Sequence, residues 1–512
     1  MALRWVVALM VVVTRVAAQQ APAEATRVRA ALSRAGPTVR AFYAARDHAP
    51  AWTGGGPAAP AARELAAALQ VLERDGLEPR RYGTARIDRL LSIGADSSGV
   101  LDVALTTAFV TAGRHLALGR VQPETVDSMW RGAARGVDVT AALRRAAEQQ
   151  RPAAELAALA PPHPGYHALR AALARYRGAV AVGGWPRVGS GPVLAVGDSG
   201  TRVRALRDRL VAEGDFGATR GAGFDSATVE AVRRFQRRHG LSDDGRVGPA
   251  TVTALDVSAA RRARQIVLNL ERWRWVPREA GVAPIIVNSA AFTATRHAPG
   301  SEYQCPAIVG RPDWPTPIVA GAVTGIVFAP AWRVPRAILV REVLPAAAGD
   351  PGYFARLGFH MVDSTGASIA GDSVGWEALA DSTRRLTLVQ DPGPLNPLGG
   401  VKIVFDNPFT VYVHGTPEQA LFDAPVRTMS HGCVRVQGVL ELARVLLADR
   451  PEWTADSIVR AAADTVERYV RVADGTVMVL GYWTAWVADD GAVQFRRDVY
   501  GWDAKLDRAL GR

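Results

Sequence analysis

One of the two cysteines in this chain lies among residues that can activate a thiol. Cys433 directly follows His431 and Gly432, Arg435 comes two positions later, and His414 lies upstream. A thiol is a poor nucleophile until it loses its proton, so a reactive cysteine needs a base or a positively charged setting. The histidines and the arginine are candidates for both. These residue types at this spacing indicate acyl transfer with Cys433 as the nucleophile.

The backbone around Cys433 is expected to bind a developing negative charge. Gly432 has no Cβ, so nearby N–H groups can approach a carbonyl oxygen as it becomes an oxyanion. A helix predicted to begin near Val439 adds the positive end of its dipole, although several residues intervene.

Two other interpretations of these residues stay open. A lone cysteine is more often a small buried apolar side chain than a nucleophile. His414, His431 and Cys433 also offer the three N and S ligands of an open zinc site. The other cysteine, Cys305, lies far from them in sequence and lacks such neighbours, and no histidine pair on a helix supports zinc. Acyl transfer without a metal or organic cofactor is the favoured interpretation, and Cys305 is expected to be structural.

The pattern around His414 predicts a strand that ends at this imidazole. Residues 402–405 and 409–413 are rich in β-branched and aromatic residues, and Asp406-Asn407-Pro408 separates them as a turn. Gly415-Thr416-Pro417 then interrupts strand pairing. The sequence therefore predicts a β-hairpin whose second strand ends at His414.

The rest of the chain divides into regions that differ in the spacing of their apolar residues and in residue type. Apolar residues recur at three- and four-residue spacing over 61–72 and 101–118, which predicts a helical N-terminal domain. A breaker-rich stretch over 183–192 marks a boundary. Three short helices are predicted between 197 and 255. From residue 285 onward β-branched runs predict a mostly β domain, with helices over 439–447 and 455–470.

The N-terminus and composition predict an exported protein. Residues 1–18 have a positive start, an apolar run over 5–13 and a small-residue cleavage site, which is typical of a signal peptide. The run is shorter than the roughly 20 residues of a membrane-spanning helix. Arg15, near the end of the run, is unusual for a cleaved signal, so an uncleaved N-terminal segment stays an alternative. Periplasm or cell envelope is the expected location.

The net charge of +12 permits a polyanionic partner. Export and the absence of a basic cluster or nucleic-acid motif argue against nucleic acid. An acidic cell-envelope polymer or an Arg-rich solvated surface accounts for the charge equally well.

The small module resembles the peptidoglycan-binding type 1 domain at nearly every signature position. The matching residues are Val203, Leu206, Leu210, Phe224-Asp225, Thr228, Ala231-Val232, Phe235-Gln236, Gly240-Leu241, Asp244-Gly245, Val247-Gly248, Thr251 and Leu255.

The segments His414-Gly415-Thr416 and Ser430-His431-Gly432-Cys433 resemble the L,D-transpeptidase catalytic domain of the YkuD type. By this resemblance Cys433 is the nucleophile and His414 the base, and the Gly415 carbonyl orients the imidazole. The same resemblance places His431 and Gly432 in the loop on the oxyanion side. It also implies that Arg435, Tyr412 and Ser430 bind substrate.

The wider chain resembles the large multidomain branch of that family, through motifs at 75–79, 183–186, 269–275 and 396–399. Gly415 departs from the Asp frequent in that branch, but a backbone carbonyl does not depend on the side chain. The implied fold is multidomain α+β. It comprises an α-helical scaffold domain over 19–188, a three-helix peptidoglycan-binding module over 190–257, and a mostly-β catalytic domain over 258–512 with a capping insertion within 330–395.

The resemblance implies an L,D-transpeptidase of cell wall biogenesis. Cys433 would form a thioester with the third residue of a tetrapeptide stem and release D-Ala, and another stem's amine would resolve it. Hydrolysis of the same thioester, as in an L,D-carboxypeptidase, and a non-catalytic wall anchor are the alternatives. The implied partners are stem peptides, glycan strands and cell-wall synthases, with carbapenems as inhibitors.

Overall fold

The computed structural model describes residues 22–54, 59–93, 97–132, 136–217, 223–280, 283–298, 301–350, 352–369, 375–473 and 475–511. The signal peptide predicted for residues 1–18 lies outside them. Within these ranges, no helix has both the length and the apolar character needed to cross a membrane.

The N-terminal domain is helical, and most of its helices pack around one apolar core. Its α-helices include Pro37–Ala44, Pro60–Gln70, Thr84–Ile93, Ser98–Leu118, Pro123–Val126, Val139–Gln149, Pro152–Ala157 and Pro164–Ala181. Asp102 is fully buried in the core and accepts hydrogen bonds from the backbone N–H groups of Ala51, Trp52 and Thr53 at 2.7–2.8 Å. Because a buried polar backbone needs partners, this carboxylate fixes the loop to the core.

A three-helix module follows, with helices Thr201–Glu213, Ser226–Arg238 and Pro249–Leu255. Asp225 caps the second helix by accepting from the Thr228 N–H at 2.8 Å. Val203, Phe235 and Leu255 are fully buried between the helices. The three helices therefore share a core of their own.

Buried ion pairs hold two helices of this module together where it contacts the C-terminal domain. Arg238 pairs with Glu213 and Asp215, and the Arg238 side chain is 8% exposed. Burial by itself raises the pKa of Glu213, but the guanidinium groups of Arg238 and Arg209 hold it below its usual range. The Arg496 guanidinium donates to the Arg238 carbonyl oxygen at 3.0 Å, which ties the module to the C-terminal domain.

We expect Arg238→Ala to lower the free energy of unfolding by about 3–5 kcal/mol, because it leaves Glu213 and Asp215 buried without their shared cation. Arg233→Ala is the matched control, since the Arg233–Glu230 pair on the same helix is 41% and 53% exposed. We expect the control to change stability by about 0.5 kcal/mol or less. Chemical denaturation followed by tryptophan fluorescence checks both, and equal shifts would contradict the role of the buried pairs.

The helix Ala259–Trp273 joins the helical and β parts. Glu271 on it accepts from the Val121 N–H of the N-terminal domain at 2.9 Å. Asn269 accepts from the Thr484 N–H of the C-terminal domain at 2.9 Å. This helix therefore contacts both sides through buried polar groups.

The C-terminal domain is built mainly from strands. They are β1 Ile285–Asn288, β2 Thr293–Ala298, β3 Ser301–Gly310, β4 Val319–Phe328, β5 Trp332–Arg333, β6 Phe359–Val362, β7 Ser368–Ile369, β8 Thr387–Gln390, β9 Val401–Phe405, β10 Val413–His414, β11 Thr428–Ser430, β12 Val434–Val436, β13 Arg468–Arg471, β14 Val477–Gly481, β15 Ala485–Val487 and β16 Val493–Phe495. A ten-stranded sheet runs in the order β11-β3-β12-β10-β9-β4-β14-β1-β2, with β13 paired to β4, and β15 and β16 pair with each other. A helical N-terminal half followed by a β-rich C-terminal half confirms the predicted fold class.

The segment between β4 and β9 forms an insertion with a sheet of its own, in the order β5-β8-β6-β7. Its helical turns are Arg336–Ile338, the π-helical turn Leu339–Val343, Leu344–Ala347 and Tyr353–Arg356. Phe354, Met361 and Leu388 belong to a separate apolar core. The capping role predicted for residues 330–395 stays a prediction.

Two predicted elements end differently from the sequence pattern. The second hairpin strand, predicted over 409–413, is shorter and consists of β10 alone. The Asn407 side-chain amide donates hydrogen bonds to the Phe405 and Val411 carbonyl oxygens, both at 2.9 Å, and so holds the residues before β10 in a longer loop. The helix predicted over 455–470 ends at Ala462, and β13 follows because it pairs with β4. Helices Val439–Leu446 and Ala455–Ala462 complete the domain core, and Trp502–Ala509 ends the chain's regular structure.

Candidate active site

The strand register brings the candidate residues onto one face of the sheet. β10 lies between β9 and β12, with His414 opposite Lys402 on one side and Arg435 on the other. Side chains directly opposite each other share a face, and successive residues alternate between faces. Val413, the residue before His414, is fully buried in the core on the opposite face. The core therefore fixes the direction of the polar side chains.

Tyr412 and Cys433 extend this polar face at the strand mouth. The Val434 N–H donates to the Tyr412 carbonyl oxygen at 3.1 Å, which aligns the residues that precede β10 and β12. The Tyr412 ring lies 5.5 Å from the His414 ring, and Lys402 Nζ lies 4.7 Å from the centre of the Tyr412 ring. We call these five residues, Lys402, Tyr412, His414, Cys433 and Arg435, the strand-mouth cluster.

Cys433 carries a free thiol that is partly exposed to solvent. Burial raises the pKa of this thiol, while the backbone and hydroxyl of Tyr412, the Lys402 ammonium and the Arg435 guanidinium oppose that rise. Burial also raises the pKa of Tyr412, so its hydroxyl keeps its proton. The resting thiol is therefore protonated near neutral pH, and a nucleophilic role requires a base.

His414 is 4% exposed and is the buried member of the cluster. Burial, and then the charge of Arg435, lower the pKa of His414 to about 3, although the carbonyl groups of Gly415 and Leu398 favour the protonated ring. A ring with this pKa is neutral at physiological pH and can accept a proton. Among the described residues, His414 Nδ1 has no hydrogen-bond partner of ordinary geometry.

The motif at residues 396–399 packs directly against Gly415. A Cβ on Gly399, whose φ is +63°, would lie 2.8 Å from the Thr416 nitrogen and 3.0 Å from the Gly415 carbonyl carbon. The Asn396 amide donates to the Pro330 carbonyl oxygen at 2.9 Å. Glycine is therefore required where this turn supports the carbonyl groups beside His414.

Hydrogen bonds within the Cys433 loop and one from Thr316 hold the loop in place. Ser430 Oγ accepts from the Gly432 N–H at 3.2 Å and donates to the Cys433 carbonyl oxygen at 2.5 Å. Thr316 Oγ1 donates to the Gly432 carbonyl oxygen at 2.8 Å. In the described part of the chain the Cys433 N–H has no partner, so it is the candidate oxyanion donor, whereas the Gly432 N–H is already used. Ser430 and Gly432 thus act on loop geometry in this structure.

His431 and Arg435 each meet a carboxylate. His431 Nε2 lies 2.7 Å from Glu342 Oε1 in the insertion. Arg435 Nη1 lies 2.6 Å from Glu418 Oε2, which is 59% exposed. No local pattern in the sequence indicates a role for Glu342 or for Glu418. Lys402 was within a predicted strand, but its place beside His414 depends on the strand register.

Cys305 lies away from the cluster, on β3 within the core. Its side chain is 8% exposed, and its Sγ lies 2.7 Å from the Tyr303 hydroxyl oxygen. Burial raises the pKa of this thiol. Across the ranges that the structure describes, no group of three or more His, Cys, Asp or Glu side chains is arranged to hold a metal ion.

Three family models match successive parts of the chain. A "Scaffold domain" model matches residues 37–173, a "Putative peptidoglycan binding domain" model matches 199–255, and an "L,D-transpeptidase catalytic domain" model matches 284–472. The last range contains the whole strand-mouth cluster and the insertion.

Curated relatives match the chain in part. A Haemophilus influenzae protein named "Putative L,D-transpeptidase" is 28% identical over 249 residues, which are 48% of this chain and 49% of that protein. The N-acetylmuramoyl-L-alanine amidase CwlL of Bacillus licheniformis is 38% identical over 77 residues, 15% of this chain and 21% of that protein. The chain thus spans about half or less of the length of these two relatives.

Solved structures are similar at low identity. The L,D-transpeptidase (residues 123–326) of Xylanimonas cellulosilytica has 18% identity, a TM-score of 0.19, and coverage of 57% of this chain and 98% of that chain. L,D-transpeptidase 3 of Mycobacterium tuberculosis has 14% identity, a TM-score of 0.17, and coverage of 39% and 60%.

The domain matches and the fold define a multidomain protein that joins a scaffold domain and a peptidoglycan-binding domain to a YkuD-type catalytic domain. Residues 284–472 match the L,D-transpeptidase catalytic domain, and the chain is similar to a putative L,D-transpeptidase over 48% of its length. These matches confirm the predicted resemblance, and the two peptidoglycan-related domains suggest an extracytoplasmic or cell-wall location.

Proposed function

We propose that this protein is an L,D-transpeptidase that cross-links peptidoglycan stems through a thioester on Cys433. The observation that carries the proposal is the strand-mouth cluster, in which a protonated thiol, a neutral imidazole and two cationic side chains share one face of the sheet. A thiol beside a base is the arrangement that acyl transfer needs.

The proposed first step breaks one amide bond and forms one thioester. Cys433 Sγ attacks the carbonyl carbon of the third residue of a tetrapeptide stem, and His414 takes the thiol proton. The Cys433 N–H donates to the oxyanion. When the intermediate collapses, His414 returns the proton to the leaving nitrogen, and D-Ala departs with its amine intact.

The proposed second step reverses these roles. The amine on the third residue of another stem attacks the thioester, His414 accepts a proton from that amine, and the Cys433 sulfur leaves and is reprotonated. The products are a cross-linked stem pair and the free enzyme. Lys402 and Arg435 supply positive charge beside the carboxylates of the stems, and Tyr412 holds the sulfur.

The identity of the acyl acceptor distinguishes transpeptidation from the nearest alternative, which is hydrolysis. Water in place of the amine would give an L,D-carboxypeptidase with the same residues, and the Cys433 thiol is partly open to solvent. Export to the envelope, contacts with cell-wall synthases and inhibition by carbapenems are part of the same proposal.

Incubating the full-length protein with a disaccharide tetrapeptide and analysing products by mass spectrometry tests the proposal. We expect a cross-linked dimer together with free D-Ala. A tripeptide without dimer would assign the carboxypeptidase activity. An unchanged tetrapeptide, together with binding to intact sacculi, would favour a wall anchor and contradict the proposal.

A further inference from the structure

The insertion contacts the Cys433 loop through the carboxylate of Glu342. Glu342 lies on the π-helical turn Leu339–Val343. Its Oε1 is 2.7 Å from His431 Nε2 and 3.0 Å from Arg311 Nη2. Because His431 is two residues from Cys433, this bond joins a separately folded unit to the nucleophile's loop.

The packing of the turn explains why Glu342 reaches out of the insertion. Leu339 and Val343 are 2% and 6% exposed and belong to the insertion's apolar core. A π-helical turn is a local widening that often occurs at functional sites. With both ends of the turn anchored, the Glu342 side chain between them is held toward the main domain.

The His431 ring is confined by a second contact. The Trp314 indole meets it edge to face, with 4.8 Å between ring centres. Burial raises the pKa of Glu342, but hydrogen bonds from His431 and Arg311 hold it below its usual range. An ionised carboxylate only accepts hydrogen bonds, so Nε2 carries the hydrogen that points at Glu342.

We propose that Glu342 is a positioning residue, which fixes the tautomer and orientation of His431 and through it the main chain that presents Cys433. A carboxylate behind a histidine commonly sets the orientation of that ring. The Arg311 N–H donates to the Ser430 carbonyl oxygen at 2.9 Å, so Arg311 supports the same loop from its other side. The kinetic consequence rests on the proposed transpeptidation, whereas the tautomer does not.

Glu342→Ala is expected to lower kcat for cross-linking by about 10- to 100-fold with little change in KM, because small displacements of catalytic groups cost this much. Glu342→Gln should recover part of the loss, since its amide oxygen still accepts from Nε2. Glu377→Ala is the matched control on the same insertion, where the side chain is exposed, and should leave kcat unchanged.

The dependence on His431 decides between positioning and general support. In a His431→Ala background, Glu342→Ala should cause no further loss, because a residue that acts through a partner has no effect once the partner is gone. A further loss of the same size would overturn the proposal and would indicate that Glu342 acts through Arg311 instead.

Ring ¹⁵N shifts of histidine-labelled protein, assigned with the His431→Ala variant, give a readout without substrate. Native protein should show His431 with hydrogen on Nε2, and Glu342→Ala should show mixed tautomers. An unchanged tautomer would overturn the positioning role. Absence of turnover in native protein, with the tautomer change intact, would count against the proposed function alone.

Discussion

Cys433→Ala is expected to abolish covalent capture of a carbapenem and all cross-linking, with a loss of roughly 10⁴-fold or more, because no other group replaces a missing nucleophile. Intact-protein mass spectrometry measures the adduct directly. A Cys433→Ala protein that still forms the adduct or the cross-linked product would contradict the proposed mechanism.

Cys305→Ala is the matched control for this experiment. Cys305 is buried beside Tyr303, and burial raises the pKa of its thiol, so it does not supply a reactive thiolate. We expect full adduct formation in this variant. A chelator distinguishes the metal-free mechanism from a zinc site. Acylation by a cysteine and histidine pair should persist in EDTA, whereas a zinc-dependent reaction should not.

The local part of the site could be predicted from sequence because neighbours in the chain carry it. Ser430 to Cys433 form one short loop, and the bonds between Ser430, Gly432 and Cys433 span at most three residues. The strand that ends at His414 was also visible as a β-branched run. Such signals depend on local spacing, which a single sequence shows directly.

The rest of the site depends on tertiary pairing that leaves no local trace. Lys402 faces His414 only because β9 and β10 pair in that register. Glu342 meets His431 across 89 residues of sequence, and its direction comes from a core that belongs to the insertion. The predicted hairpin forms, but its second strand is shorter than the pattern indicates, because the Asn407 side chain holds the preceding residues in a loop by hydrogen bonds to the Phe405 and Val411 carbonyl oxygens.

His414→Gln is expected to slow acylation by a carbapenem about 10²- to 10⁴-fold near pH 7, the usual contribution of a positioned general base. The reason is the state of the thiol. Burial raises the pKa of Cys433, so little thiolate exists near neutral pH without a base. The glutamine retains much of the ring's bulk in a site that is 4% exposed but accepts no proton.

The pH dependence of acylation follows from the direction of each pKa shift. A base works in its unprotonated form, and a pKa of about 3 keeps His414 unprotonated as pH falls from about 7 to about 5, so the native rate should stay nearly constant over that range. In His414→Gln only thiolate reacts, and because the pKa of Cys433 is raised, its rate should climb about tenfold per pH unit through the alkaline range.

His431→Gln separates the two histidines. His431 points at Glu342, and its proposed part is to hold the loop that presents Cys433, so its loss should lower the rate at every pH with little recovery in alkali. Acylation rates measured against pH for both variants decide the assignment. Alkaline recovery in His431→Gln alone would make His431 the base and would leave His414 with a structural role only.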